Sequence, residues 1–137
     1  MKIGIIGSGN IGGTAAQLFA DAGHQVAISN SRGPQSLRGF ERSGGSNIKA
    51  MTIEEAIAFG DIILLAIPWI KRQELPSSGL LNGKIVIDAM NPYSENFEVI
   101  NLEPSSSSEE VAKQLKGARM VKAFNTMYYQ HLKTKGT

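Results

Sequence analysis

Six short apolar runs punctuate the chain, and between most of them apolar residues recur at the three- and four-residue spacing of a helix. The first run, within KIGII from Lys2, is followed by Ile11, Ala15, Leu18, Phe19 and Ala22 on one helical face. Gly23 sits where a helix C-terminal glycine belongs, and HQVAISN, His24 to Asn30, reads as the second strand. Pro34 opens a short helix to about Arg42, which the Gly44-Gly45 pair breaks, and NIKAM from Asn47 is a short third strand. Thr52 with Glu55 forms a capping box for a helix to Phe59. DIILLAIPW, Asp61 to Trp69, and KIVIDAMNP, Lys84 to Pro92, have the continuous apolar character of strands buried on both faces. Ser106 and Ser107 each have a Glu three residues on, so the serine run opens the helix EEVAKQLKG rather than serving as a linker. ARMVKAFN, Ala118 to Asn125, is the sixth strand. Strands alternating with helices, without an internal repeat, predict an α/β, doubly wound parallel sheet.

The junction of the first strand and helix carries the most specific chemistry. KIGIIGSGNIGG holds a G-x-G-x-x-G directly after a strand and directly before a helix. Gly7 permits the tight turn, Gly9 has no Cβ to keep the backbone from a pyrophosphate, and Gly12 lets the helix pack closely on the strand. The free N–H groups and positive end of the helix then face the anion. A glycine turn of this kind at strand one favours the strand order 3-2-1-4-5-6, with the ligand across the carboxyl ends of the strands.

The end of the second strand selects among dinucleotides. A NAD site places an acid about 20 residues beyond the glycines, but here the strand ends in Ser29, Asn30, Ser31 and Arg32. A carboxylate there would repel a 2′-phosphate, whereas Ser31 donates a hydrogen bond and Arg32 pairs with the phosphate and stacks on adenine. NADP(H) is therefore the expected cofactor. An ordinary turn serine and surface arginine are the alternative reading, and Arg38 reads as a solvated helix residue.

Composition narrows the remaining classes. A chain of 137 residues has room for one compact core. The net charge of +2 comes without a dense Lys/Arg cluster, which gives no support to nucleic-acid or membrane partners. The chain has no cysteine, which excludes disulfides, thiolate catalysis and cysteine-based metal sites, and no metal site is expected. The first apolar run is broken by Gly4, Gly7 and Gly9, so neither a signal peptide nor a membrane segment is indicated and a cytoplasmic protein is expected.

Taken together, GIIGSGNIGG, SNSRGP, LLAIPW, VIDAMNPY and VKAFNT resemble the NADPH-dependent oxidoreductases related to the reductase of the deazaflavin coenzyme F420, from Met1 to about Thr126. The phosphate turn is shared with many Rossmann proteins, including pyrroline-carboxylate reductases, while SNSRGP with VKAFNT is more specific. The resemblance implies a Rossmann domain over residues 1–126 that binds NADPH and passes hydride to a flat acceptor such as F420 or a flavin. Carried over by position, Ser8, Asn10 and Ile11 would hold the pyrophosphate, and Ser31 and Arg32, beside Asn30, the 2′-phosphate. Ala66, Ile67 and Pro68 would lie along the nicotinamide half, Asn91 and Pro92 would face the ring, and Ala123, Phe124 and Asn125 would border the acceptor. Trp69, at the mouth of the cleft, reads equally as a stacking platform for substrate and as core.

No residue among these is an obvious acid, base or nucleophile, and no catalytic residue is assigned. Hydride transfer to a deazaflavin needs mainly alignment of two carbons. A carbonyl reductase would want a proton donor, for which Tyr93 is the best candidate and His131 a remote one. Asp88 reads as a structural group. The family continues beyond the sixth strand, whereas residues 127–137 here read as a polar tail in which Tyr128 and Tyr129 contact an acceptor or a partner subunit. A shortened chain and a homodimer that completes its own site both fit, and the second reading of function is a non-catalytic NADP(H)-binding or sensing module.

Overall fold

The structure is a computed structural model that describes every residue except Ser77, Pro104, 126–128, Gly136 and Thr137. Tyr128 therefore lies outside the described residues. The strands are β1 Lys2–Ile6, β2 Gln25–Ser29, β3 Ile48–Ala50, β4 Ile62–Leu65, β5 Ile85–Asp88 and β6 Arg119–Lys122. The helices are α1 Asn10–Asp21, α2 Arg38–Gly44, α3 Ile53–Phe59, α4 Ser107–Gln114 and α5 Tyr129–Lys135. Short 3-10 turns cover Pro34–Leu37 and Trp69–Glu74. All six strands run parallel in the order β3-β2-β1-β4-β5-β6, the doubly wound Rossmann topology that the glycine turn predicts.

Alternation along the strands feeds two cores, one on each face. Ile5 and Leu64 join Ala15, Ala16 and Val26 beneath α1, while Ile6 and Leu65 join Ile57, Leu81 and Val111 on the other side. Both faces being covered is why the central strands read as unbroken apolar runs rather than as alternating ones. Both expected capping boxes form: Thr52 accepts from the Glu55 N–H, Ser106 accepts from the Glu109 N–H, and each glutamate returns a bond to its cap residue's own N–H. The Lys84 ammonium closes the far end of α3 by donating to the carbonyls of Ile57 and Gly60.

The strands are shorter than the apolar runs that contain them, and register sets the limit. Ile6 is level with Ser29 and Leu65, Leu65 with Asp88, and Asp88 with Lys122. The chain thus leaves the sheet along one line, at Gly7, Asn30, Ala66, Ala89 and Ala123. AIPW and AMNP, apolar enough to read as strand, lie beyond that line. The short helix after Pro34 is split at Leu37, and Gly44 belongs to it; Gly45, at φ 58°, is the residue that ends it.

The segment after β6 also differs from its reading as a tail. Its residues Tyr129–Lys135 form α5, which packs on α1 and buries Leu132. One buried leucine in an otherwise polar segment is too weak a periodic signal to predict a docked helix.

Candidate functional site

The three glycines of the turn have separate physical roles. Gly7 sits at φ 112°, and a Cβ there would lie 2.4 Å from the Ala66 carbonyl oxygen. A Cβ on Gly12 would lie 1.9 Å from the Gly7 carbonyl oxygen, so α1 approaches the turn only because that position is bare. Gly9 is different: at φ −74°, ψ −159°, its missing Cβ would point into open space with nothing within 4 Å. The protein's own packing requires Gly7 and Gly12, and leaves the space above Gly9 open. Gly9 is also the N-cap of α1, whose first turn has neither a side-chain cap nor an acid. Unsatisfied N–H groups there present a positive end to that space.

The neighbouring wall is ordered by one side chain. Asn30 donates to the Ser8 hydroxyl at 3.1 Å and to the Ser36 hydroxyl at 3.0 Å, while its carbonyl oxygen accepts the N–H groups of Arg32 and Gly33, each at 3.0 Å. Its amide is thus engaged in tying the phosphate turn to the loop that carries Ser31 and Arg32. Both of those residues line a narrow cleft of about 190 Å³ with Gly7, Ser8 and Gly9. Arg32 is exposed there.

A larger cavity of about 580 Å³ adjoins it, lined by Gly9, Asn10, Ile11, Asn91 and the segment from Ala66 to Lys71. Tyr93 and Phe97 form part of its wall and are 42% and 84% exposed. They belong to a short hairpin held by the Tyr93–Val99 bridge and by the Ser94 N–H on the Glu98 carbonyl at 2.8 Å. Phe97 adopts φ 61°, a left-handed conformation unfavourable for an aromatic residue. Among the described residues no cluster of three His, Cys, Asp or Glu side chains is placed to hold a metal ion. Among the described residues no helix is long and apolar enough to cross a membrane.

Several residues proposed from sequence for the ring and acceptor end are placed elsewhere. Pro92 does not line the cavity; its carbonyl accepts the Ile100 N–H at 2.7 Å and it borders a shallow depression with Val99 and Leu102. Ala123, Phe124 and Asn125 do not line it either. At φ 67° the chain turns at Phe124, whose ring packs against the core cluster of Ile5 and Ala89. The Asn125 carbonyl accepts the Asn91 side-chain amide at 2.8 Å, so it stands behind a cavity residue. Trp69 is 4% exposed and core-packed, its indole N–H donating to the Ser107 carbonyl at 3.3 Å, although it also contributes to the cavity wall. Asp88 is fully buried, accepts the Met90 N–H at 2.9 Å and pairs with Lys122 at 3.4 Å, a structural role as its strand position predicts. His131, on α5, lines neither space.

The sequence profile of the family described as NADP oxidoreductase, coenzyme F420-dependent, matches residues 2–92. The chain belongs to that family. Among solved structures, a hypothetical protein from Sinorhizobium meliloti superposes with a TM-score of 0.83 at 32% identity, over 98% of this chain and 65% of its own. A protein from an Arthrobacter species, described as an F420-dependent NADP reductase, gives a TM-score of 0.81 at 25% identity, over 99% and 68%. A reductive aminase from Aspergillus terreus, solved with NADPH and ethyl levulinate, shares the fold at 21% identity and a TM-score of 0.67, over 95% and 43%. The chain thus spans about two thirds of the length of the first two relatives. The matched segment includes the glycine turn from Gly7 to Gly12.

Proposed function

We propose that this chain is the NADP(H)-binding domain of an oxidoreductase that passes hydride between nicotinamide and a planar redox acceptor such as coenzyme F420 or a flavin. The observation that carries this reading is the continuity of the two spaces. They share Gly9, Ala66, Ile67, Pro68 and Lys71, so one extended groove runs from Arg32 past the end of α1 to Asn91. That shape suits a dinucleotide, and the open position above Gly9 suits its phosphates.

On this reading the N–H groups of Asn10 and Ile11 hold phosphate, while Ser31 and Arg32 hold the 2′-phosphate. Ala66, Ile67 and Pro68 give an apolar floor for the nicotinamide half, with Asn91 beside the ring. When bound, NADPH supplies the hydride; the chain's own part is alignment and the exclusion of water. Tyr93 and Phe97 offer aromatic surface where a flat acceptor would stack. Tyr93 is also the phenol nearest to serving as a proton donor, should the acceptor be an imine or a carbonyl.

Calorimetric titration with NADPH and NADH side by side tests the cofactor. Arg32→Ala is expected to weaken NADPH binding by about 1 to 3 kcal/mol and to leave NADH nearly unchanged, because only a charge-assisted contact to the 2′-phosphate is lost. Equal losses for both nucleotides would sink the assignment. For the acceptor end, Phe97→Ala should raise KM for F420 or flavin by roughly the 0.5 to 1.5 kcal/mol of an aromatic stack, without moving the NADPH affinity. An unchanged KM would remove Phe97 from the site. Tight NADPH binding without turnover of any acceptor would favour the sensing module instead.

A further inference from the structure

The neck of the groove carries a cation that neither the glycine turn nor the SNSRGP loop supplies. Of the five residues common to the narrow cleft and the larger cavity, four are uncharged and the fifth is Lys71. We propose that Lys71 is a pyrophosphate ligand, reaching the phosphates from the β4 side while the N-terminus of α1 holds them through its N–H groups. This inference rests on the dinucleotide reading above.

The chemistry of the ligand and the shape of the groove point to the same place. A dinucleotide that fills both spaces has its pyrophosphate where they meet, because that group joins its two halves. The end of α1 contributes roughly half a unit of positive charge, well short of neutralising a doubly ionised pyrophosphate. Arg32 lines the narrow cleft and not the larger cavity, so its charge belongs to the adenosine end.

The turn that carries Lys71 is held in place by other residues. Buried Trp69 donates to Ser107, and the Arg72 guanidinium lies 3.6 Å over the indole ring while donating to the Trp69 carbonyl at 3.3 Å. The Gln114 amide donates to the Arg72 carbonyl at 2.6 Å, and the Lys71 N–H donates to the Pro68 carbonyl at 2.9 Å. Residues 69 and 72 thus anchor the turn to the α4 side, and residue 71 lines the groove. The Lys71 side chain is exposed, and among the described residues it forms no ion pair, although Glu74 lies one turn on. An ammonium held on a fixed turn and uncommitted to a protein carboxylate is available to an anionic ligand.

The test compares the full chain with Lys71→Gln and Lys71→Arg by calorimetry, using NADPH, NADH and adenosine 2′-monophosphate, with thermal melting to verify the fold. Lys71→Gln is expected to weaken NADPH and NADH by the same factor, about five- to tenfold, and to leave the 2′-monophosphate, which has no pyrophosphate, unchanged. Lys71→Arg should restore most of the loss. Unchanged affinities in Lys71→Gln would make Lys71 a solvated surface residue and overturn the proposal. A loss confined to NADPH and the 2′-monophosphate would move Lys71 to the 2′-phosphate and overturn it equally. Wild-type chain that binds neither dinucleotide would overturn the underlying reading, an outcome separate from a wild type that binds both and a Lys71→Gln variant that binds them as well.

Discussion

Gly9→Val is expected to abolish binding of NADPH and NADH alike, with Kd raised by more than about 100-fold, while the melting temperature stays close to that of the wild type. A Cβ at Gly9 meets nothing within 4 Å outside its chain neighbours, and its φ of −74° and ψ of −159° are extended backbone, so the fold resists the change only through the poorer helix capping of valine. The space it would fill is the groove above the end of α1, where phosphate would lie. Gly12→Ala makes the contrast: its Cβ would sit 1.9 Å from the Gly7 carbonyl oxygen, which forces α1 off the turn. Overpacking of that kind costs about 1 to 3 kcal/mol, to be read as a lowered urea midpoint. Calorimetry and urea unfolding of the two variants therefore separate a ligand-facing glycine from a packing glycine. Retained dinucleotide affinity in folded Gly9→Val would place the ligand elsewhere.

The same comparison explains what was legible in the sequence. Gly7, Gly9 and Gly12 are read from spacing because a strand, a tight turn and a helix are local events, whereas the approach of the bare Gly7 position to the Ala66 carbonyl depends on how β4 packs beside β1. Sheet order and both capping boxes are similarly local or follow from the βα alternation. The ends of strands β4, β5 and β6 were not legible, because the register with β1 and not the length of each apolar run decides where pairing stops. Asn30 illustrates a second limit. Its position at the end of β2 is plain in sequence, but its bonds to Ser8 and Ser36 depend on how two loops meet. Lys71 is a third case: it belongs to no motif, and only the folding of the Trp69–Glu74 turn onto α4 brings it to the neck of the groove. Phe124 fails for a related reason, since a left-handed backbone angle turns the chain at the point where strand spacing would continue it.

Lys122→Met should give the largest loss of stability at the carboxyl edge of the sheet, about 3 kcal/mol. Asp88 is completely buried and Lys122 is its ion-pair partner at 3.4 Å, whereas the Lys122 side chain keeps 28% of its surface in solvent. Removing one member of a buried pair costs about 3 to 5 kcal/mol, and the partial exposure of the ammonium argues for the lower end. The methionine retains much of the aliphatic stem, so the loss reports charge and hydrogen bonding more than packing. Lys122 also donates to the Met90 carbonyl, while Asp88 accepts the Met90 N–H, so the pair grips the turn that presents Met90 and Asn91 to the larger cavity. Loosening that turn is expected to weaken NADPH binding as well, even well below the melting temperature. Asp88→Asn combined with Lys122→Met removes the buried carboxylate charge along with its ammonium and should recover part of the lost stability. If urea unfolding instead shows the single and double variants equally stable, the charge of Asp88 contributes little in the absence of Lys122. If stability falls without a change in NADPH affinity, the pair supports the sheet edge and not the cavity wall.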